Sequence, residues 1–138
     1  LLTQADDPKW VGAPNWVGAS GLIGIRKVKL KLKRPDKDHR NASLTLAFGL
    51  PPGETYKTEP RIFSVEVNGR TLATDMNLNR ETLGPTGFKH PVAWGPKLVS
   101  RSASFSMSKD ELDVEITLTP KDGGRETVLS GIRVTFEK

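Results

Sequence analysis

The chain has no cysteine, which excludes disulfide staples, thiol nucleophiles and thiolate metal sites together. Histidine is nearly absent too. His39 and His90 are the only two, and each stands in a polar, turn-like context that reads as surface. No nucleophile elbow, phosphate-cradling loop or His-rich metal pattern is present. Paired carboxylates for glycoside hydrolysis would have to come from Asp75, Glu81, Asp110, Glu111 or Asp122. A sandwich of this size offers no deep cleft to hold two of them in register. The chain is therefore not expected to be an enzyme. Long apolar runs are also missing, so no segment has the length to cross a bilayer. The first residues, Leu1-Leu2-Thr3-Gln4, lack a basic region followed by an apolar core. With no initiating methionine, the sequence reads as a mature form or as one domain of something larger.

What is present is 138 residues with 21 Lys and Arg against 16 Asp and Glu, a formal charge of +5. The length predicts one domain over 1–138, large enough for its own core. Much of the charge excess lies in Arg26-Lys27-Val28-Lys29-Leu30-Lys31-Leu32-Lys33-Arg34. As a strand, this segment puts Lys27, Lys29, Lys31 and Lys33 on one face and Val28, Leu30 and Leu32 on the other. The lysine row invites comparison with a polyanion site, but the preferred reading is a solvated face that discourages edge-to-edge aggregation. No aromatic interleaves with the lysines, so a nucleic-acid partner is not expected.

Short segments with strand periodicity recur along the chain: 22–33, 42–48, 61–67, 70–74, 92–94, 102–107, 112–119 and 128–136. Phe63, Val65 and Val67 alternate with Ser64 and Glu66. Asn68-Gly69 then supplies the positive φ angles of a two-residue hairpin, and Leu72 resumes the apolar side. Punctuation comes from Pro51-Pro52-Gly53, Gly84-Pro85-Thr86-Gly87, Gly95-Pro96 and Lys121-Asp122-Gly123-Gly124. Ser108 to Glu111 reads as the cap of a single helical turn, and no segment has the length and period of a longer helix. The fold class predicted is all-β: an antiparallel β-sandwich (jelly roll) of about eight strands with little or no helix. Residues 1–21 are expected to form an irregular N-terminal segment packed on it.

That segment contains a tandem repeat, Pro8-Lys9-Trp10-Val11-Gly12-Ala13 followed by Pro14-Asn15-Trp16-Val17-Gly18-Ala19. Trp10 and Trp16 thus occupy matching surroundings, as stacking platforms for a sugar or as apolar anchors on the sandwich. Further contact groups stand on loops: Tyr56, Phe88 beside His90, and Asp122. An aromatic face with a neighbouring carboxylate suits a sugar, whose C–H groups stack while its hydroxyls take hydrogen bonds. Asp75, Asn77 and Asn79 present oxygens at alternate positions, a spacing that can wrap calcium. The helix-loop-helix pattern fails, because Arg80 stands where that loop needs glycine and Thr86 where it needs glutamate. The other reading of Asp75 and Asn77 is that they bond local backbone. No other cofactor is implied.

Leu44 to Phe48, a loop, Ile62-Phe63-Ser64-Val65-Glu66-Val67-Asn68-Gly69, then Leu72 and Asp75, together resemble the core of malectin and malectin-like carbohydrate-binding domains. The family pattern is an apolar strand ending in Phe-Ala-Glu, a loop, a Phe-x-Val-x-x-Asn-Gly hairpin and an Asp-rich exit. Leu112 to Leu118 and Val128 to Val134 look like its last two strands, so the resemblance covers about residues 42–136. It implies a non-catalytic carbohydrate-binding or carbohydrate-binding-like module of a larger exported protein, extracytoplasmic, contacting its ligand through edge loops. The implied partner is a carbohydrate or another domain of the same protein. Asp122 corresponds to the family's carboxylate in the last long loop. The family's aromatic pair after Phe-Ala-Glu is replaced here by Gly49-Leu50-Pro51-Pro52-Gly53, with Tyr56 as the nearby aromatic. That departure supports the alternative of a structural or protein-interaction sandwich that has lost sugar binding.

Overall fold

The computed structural model describes residues 22–51, 53–54, 58–83, 99–122 and 124–138. Nine strands and one short helix lie among them: β1 Leu22–Ile23, β2 Lys27–Lys33, β3 Asn41–Phe48, β4 Ile62–Val67, β5 Arg70–Asn77, α1 Leu78–Leu83, β6 Val99–Ser106, β7 Glu111–Pro120, β8 Val128–Leu129 and β9 Gly131–Glu137. One sheet has the order β2-β7-β4-β5 and the other β6-β3-β9, while β1 pairs with β8 in a short ladder. Every pairing is antiparallel. The chain folds as an all-β sandwich, as its alternation predicts.

Alternation also decides what goes inside. On β3, Ala42, Leu44 and Leu46 stand opposite Phe136, Val134 and Ile132 of β9 in register, and Phe48 stands opposite Val99 of β6. On the facing sheet, Phe63, Val65 and Val67 of β4 join Val114, Ile116 and Leu118 of β7 in the same buried cluster. Phe48 and Phe63 meet edge to face across the two sheets, with centroids 5.6 Å apart. This contact locks one layer to the other.

Two predicted strands are divided. The segment 22–33 breaks at Gly24, whose φ of +82° suits glycine, so β1 pairs with β8 while β2 pairs with β7. The segment 128–136 breaks at Ser130, whose hydroxyl accepts a hydrogen bond from the Gly49 amide at 2.9 Å. The predicted helical turn at 108–111 does not form. Asp110 there accepts from Arg34 Nε at 3.1 Å, and Arg34 Nη1 donates to the Met107 carbonyl at 2.9 Å, so the connection is held as a bend. The helix forms instead at 78–83, where Asn77 Oδ1 accepts the Arg80 amide at 3.0 Å as an N-cap. The predicted strand at 92–94 lies outside the described residues, as does the segment 1–21.

The β4–β5 turn carries more than conformation. Asn68 and Gly69 have φ of 49° and 78°, as the hairpin requires, but Asn68 also extends the ladder to β7. Its amide donates to the Glu115 carbonyl at 2.9 Å, its Oδ1 accepts from the Glu115 amide at 2.8 Å, and its Nδ2 donates to the Asp113 carbonyl at 3.2 Å. Asn68→Gly, which keeps the positive φ, is expected to lose about 1–2 kcal/mol through those side-chain bonds. Asn68→Ala should lose about a further 1 kcal/mol, because a Cβ disfavours the left-handed conformation. Urea midpoints of the two variants separate the contributions. Equal losses would deny the conformational part.

Candidate functional site

The end of the sandwich where the loops 49–61 and 121–127 meet is organised by Arg61, which is only 4% exposed. It sits one residue before β4, so its backbone joins the strand while its side chain turns into the loops. The Arg61 amide donates to Asn79 Oδ1 at 2.9 Å, and its carbonyl accepts from the Leu78 amide at 2.8 Å. The guanidinium forks onto Glu54, with Nε to Oε1 at 2.8 Å and Nη2 to Oε2 at 2.8 Å. Nη1 donates to the Glu126 carbonyl at 2.8 Å. One buried side chain therefore ties together the loop before β4, the loop after β7 and, through its backbone, α1.

Glu54 is shared. Arg125 Nη1 reaches Glu54 Oε1 at 2.9 Å, so two guanidinium groups flank one carboxylate whose side chain is 9% exposed. A planar fork against a carboxylate fixes direction as well as distance. The loop bearing Tyr56 is thereby bound, through Glu54, to the loop bearing Asp122. Further out, Arg26 holds Glu126 at 2.8 Å. The hydrogen bond from Arg26 and its charge keep the Glu126 carboxyl below its ordinary range. Thr127 Oγ1 donates to the Ile25 carbonyl.

Asp122 is exposed in the turn after β7, on the same loop as Arg125. Tyr56, Trp10, Trp16 and Phe88 lie outside the described residues, and so does His90. Among the calcium candidates, the Asn77 and Asn79 side-chain oxygens each accept a backbone amide, while the Asp75 amide donates to Ser64 Oγ at 3.0 Å. Asn77 thus caps α1 and Asn79 braces Arg61. Asp75 has a φ of 46° where the β4–β5 register is irregular. Among the described residues no group of three His, Cys, Asp or Glu side chains could hold a metal ion. His39 is partly buried in the turn after β2, its Nδ1 2.7 Å from Asp36 Oδ1. That contact, strengthened by the Asp38 amide, holds the Asp36 carboxyl below its usual range.

The lysine row is exposed as its alternation predicts, but it is not alone. β7 runs beside β2 and places Glu111, Asp113 and Glu115 opposite Lys33, Lys31 and Lys29. Lys27 pairs with Glu115 at 3.4 Å and Lys31 with Glu111 at 3.5 Å. A basic strip read from one strand becomes a mixed face once its neighbour is in place. The adjacency of the acidic row to the lysines was not visible in the sequence, nor was the Arg61 cluster as a unit, since Glu54, Arg61, Asn79 and Arg125 share no motif or spacing. Only the strand-breaking Pro51-Pro52-Gly53 hinted that chain turns there.

Among the described residues no helix is long and apolar enough to cross a membrane. No family model matches the chain, and no curated protein matches it. Similar solved structures exist. The crystal structure of the plant receptor-like kinase FER superposes with a TM-score of 0.52 at 11% identity, covering 89% of this chain and 30% of that one. A crystal structure of Bacteroides uniformis beta-glucuronidase does so with a TM-score of 0.50 at 10% identity, covering 84% of this chain and 11% of that one. The chain therefore spans less than a third of one and about a tenth of the other, and what it shares with both is the antiparallel β-sandwich fold.

Proposed function

We propose that this chain is a non-catalytic, carbohydrate-binding-like module of a larger exported protein, with malectin-type jelly-roll connectivity, that contacts its ligand through loops at one end of the sandwich. The observation that carries this reading is the Glu54 bridge. It joins, through Arg61 and Arg125, the two loops to which the malectin resemblance assigns sugar contacts. A binding site needs such loops held in fixed relation by a rigid scaffold. Its similarity to parts of a receptor-like kinase and of a beta-glucuronidase is compatible with a module of something larger. The reading is tested by calorimetric titration of the chain against a panel of neutral and acidic oligosaccharides. Binding that Tyr56→Ala weakens about tenfold or more, with the melting temperature retained, is the expected result. No heat of binding with any member of the panel would remove it.

A second reading, a structural or protein-interaction sandwich, is favoured by one feature. Arg61, Glu54, Arg125, Arg26 and Glu126 are occupied with one another, which is what a loop end built for rigidity requires. Loss of glycan binding in Trp10→Ala, Trp16→Ala or Tyr56→Ala variants that still fold would discard this alternative. The polyanion reading of the lysine row loses its support to the acidic row beside it.

A further inference from the structure

The lysine and acidic rows do not pair completely. Lys27 and Lys31 each reach diagonally to a glutamate two residues out of register, Glu115 and Glu111. The same diagonal from Lys29 leads to Asp113, whose side chain is one methylene shorter, and no ion pair forms. Among the described residues the side chains of Lys29 and Asp113 have no hydrogen-bonding or ionic partner, and neither has Lys109 beyond the end of the ladder.

These three groups lie along open depressions on the β2–β7 face. One, of about 470 Å³, is lined by Lys29, Asp113 and Asn68 among others. The next, of about 840 Å³, is lined by Lys109 and shares Lys31 and Asp113 with the first. The two adjoin as a trough along the strand pair. From Lys29 to Lys33 alone β2 covers roughly 13 Å, at about 3.3 Å per residue, which suits a chain of several units better than a single small molecule. The combined lining holds four lysines and four carboxylates, so it has no net charge to attract a polyanion or a polycation. It offers ammonium donors and a carboxylate acceptor at intervals. Hydroxyl groups, which both donate and accept, satisfy such a series without bringing in a charge that must be desolvated.

We infer that the β2–β7 face is a binding trough for a neutral oligosaccharide, with Asp113 accepting from sugar hydroxyls and Lys29 and Lys109 donating to sugar oxygens. This rests on the carbohydrate-binding reading and moves the contact from the loop end to the sheet face. The site depends on the mismatch of one methylene, because a glutamate at position 113 would close the diagonal with Lys29.

The test is an amide NMR titration of the chain with three neutral probes, cellohexaose, xylohexaose and maltohexaose, and with hexagalacturonate as the anionic control. The expected result is that at least one neutral probe shifts resonances in 29–33, 68 and 109–115, with little dependence on salt. Asp113→Ala should weaken that binding about tenfold or more, the loss of a hydrogen bond to a charged group. Asp113→Glu should weaken it as well by capturing Lys29, with both variants keeping the wild-type spectrum elsewhere. Shifts confined to 49–61 and 121–127, with Asp113→Ala binding as the wild type does, would overturn the trough while leaving the carbohydrate reading standing. Binding of hexagalacturonate alone would overturn the trough's neutral specificity. No shift with any probe would overturn both.

Discussion

Arg61→Ala should destabilise the chain by about 3–5 kcal/mol, the usual loss when one member of a buried ion pair is removed. Against a total stability of about 5–15 kcal/mol for a domain, this leaves a marginal fold. The size follows from what remains. The Glu54 carboxylate, nearly excluded from water, keeps only the partly exposed Arg125, and the Glu126 carbonyl loses its donor. Arg61→Lys retains the charge but not the fork, since an ammonium cannot span Glu54 and the Glu126 carbonyl in the same geometry. It should fall between Ala and wild type. Urea unfolding monitored by circular dichroism reads this as a lower midpoint at unchanged slope. A loss below about 1 kcal/mol would show that the cluster behaves as a solvated surface pair. The same variant should loosen both loops together, so protection of amides near residues 58–61 and 124–127 should fall in parallel.

Phe63→Ala is the second large effect, at about 3–5 kcal/mol for deleting a buried aromatic. Phe63 is fully buried in β4, opposite Met76 of β5 and Pro120 of β7, and its ring packs edge to face with Phe48 from the other sheet. Its neighbours belong to three strands and two layers, so they cannot all close over the void. Phe48→Ala should cost a similar amount. In the double variant the losses should fall short of additivity by about 0.5–1.5 kcal/mol, the coupling typical of an edge-to-face pair. Full additivity would show that the rings fill space without acting on one another.

The hairpin at Phe63 to Leu72 was legible because its information is local. Period-two alternation selects the buried face, and Asn68-Gly69 selects the turn. The bonds from Asn68 to β7 were not legible, because Asp113 and Glu115 lie more than forty residues away. The lysine row gives the same lesson with a functional consequence. Its common face could be read from the alternation of Lys27 to Lys33, whereas its neutralisation depends on β7 being the neighbour of β2. Asn77 was legible as a local backbone partner, but not as the cap of a helix, since six residues are too few to display a helical period. Of the loop-end site, Asp122 is an exposed turn residue as its setting between Lys121 and Gly123 implied.

The sequence alone determined the class of fold, the inward faces of β2 and β4, the position of the tight turn and the absence of thiol chemistry. These are properties of spacing and residue type, and they survive without knowing what lies beside what. Only the tertiary structure decided that Glu54, Arg61 and Arg125 share a charge centre, and that Lys29 and Asp113 face one trough without meeting. Strand order brings those groups together, and strand order is set by burial of both sheets against each other rather than by any pattern within one segment.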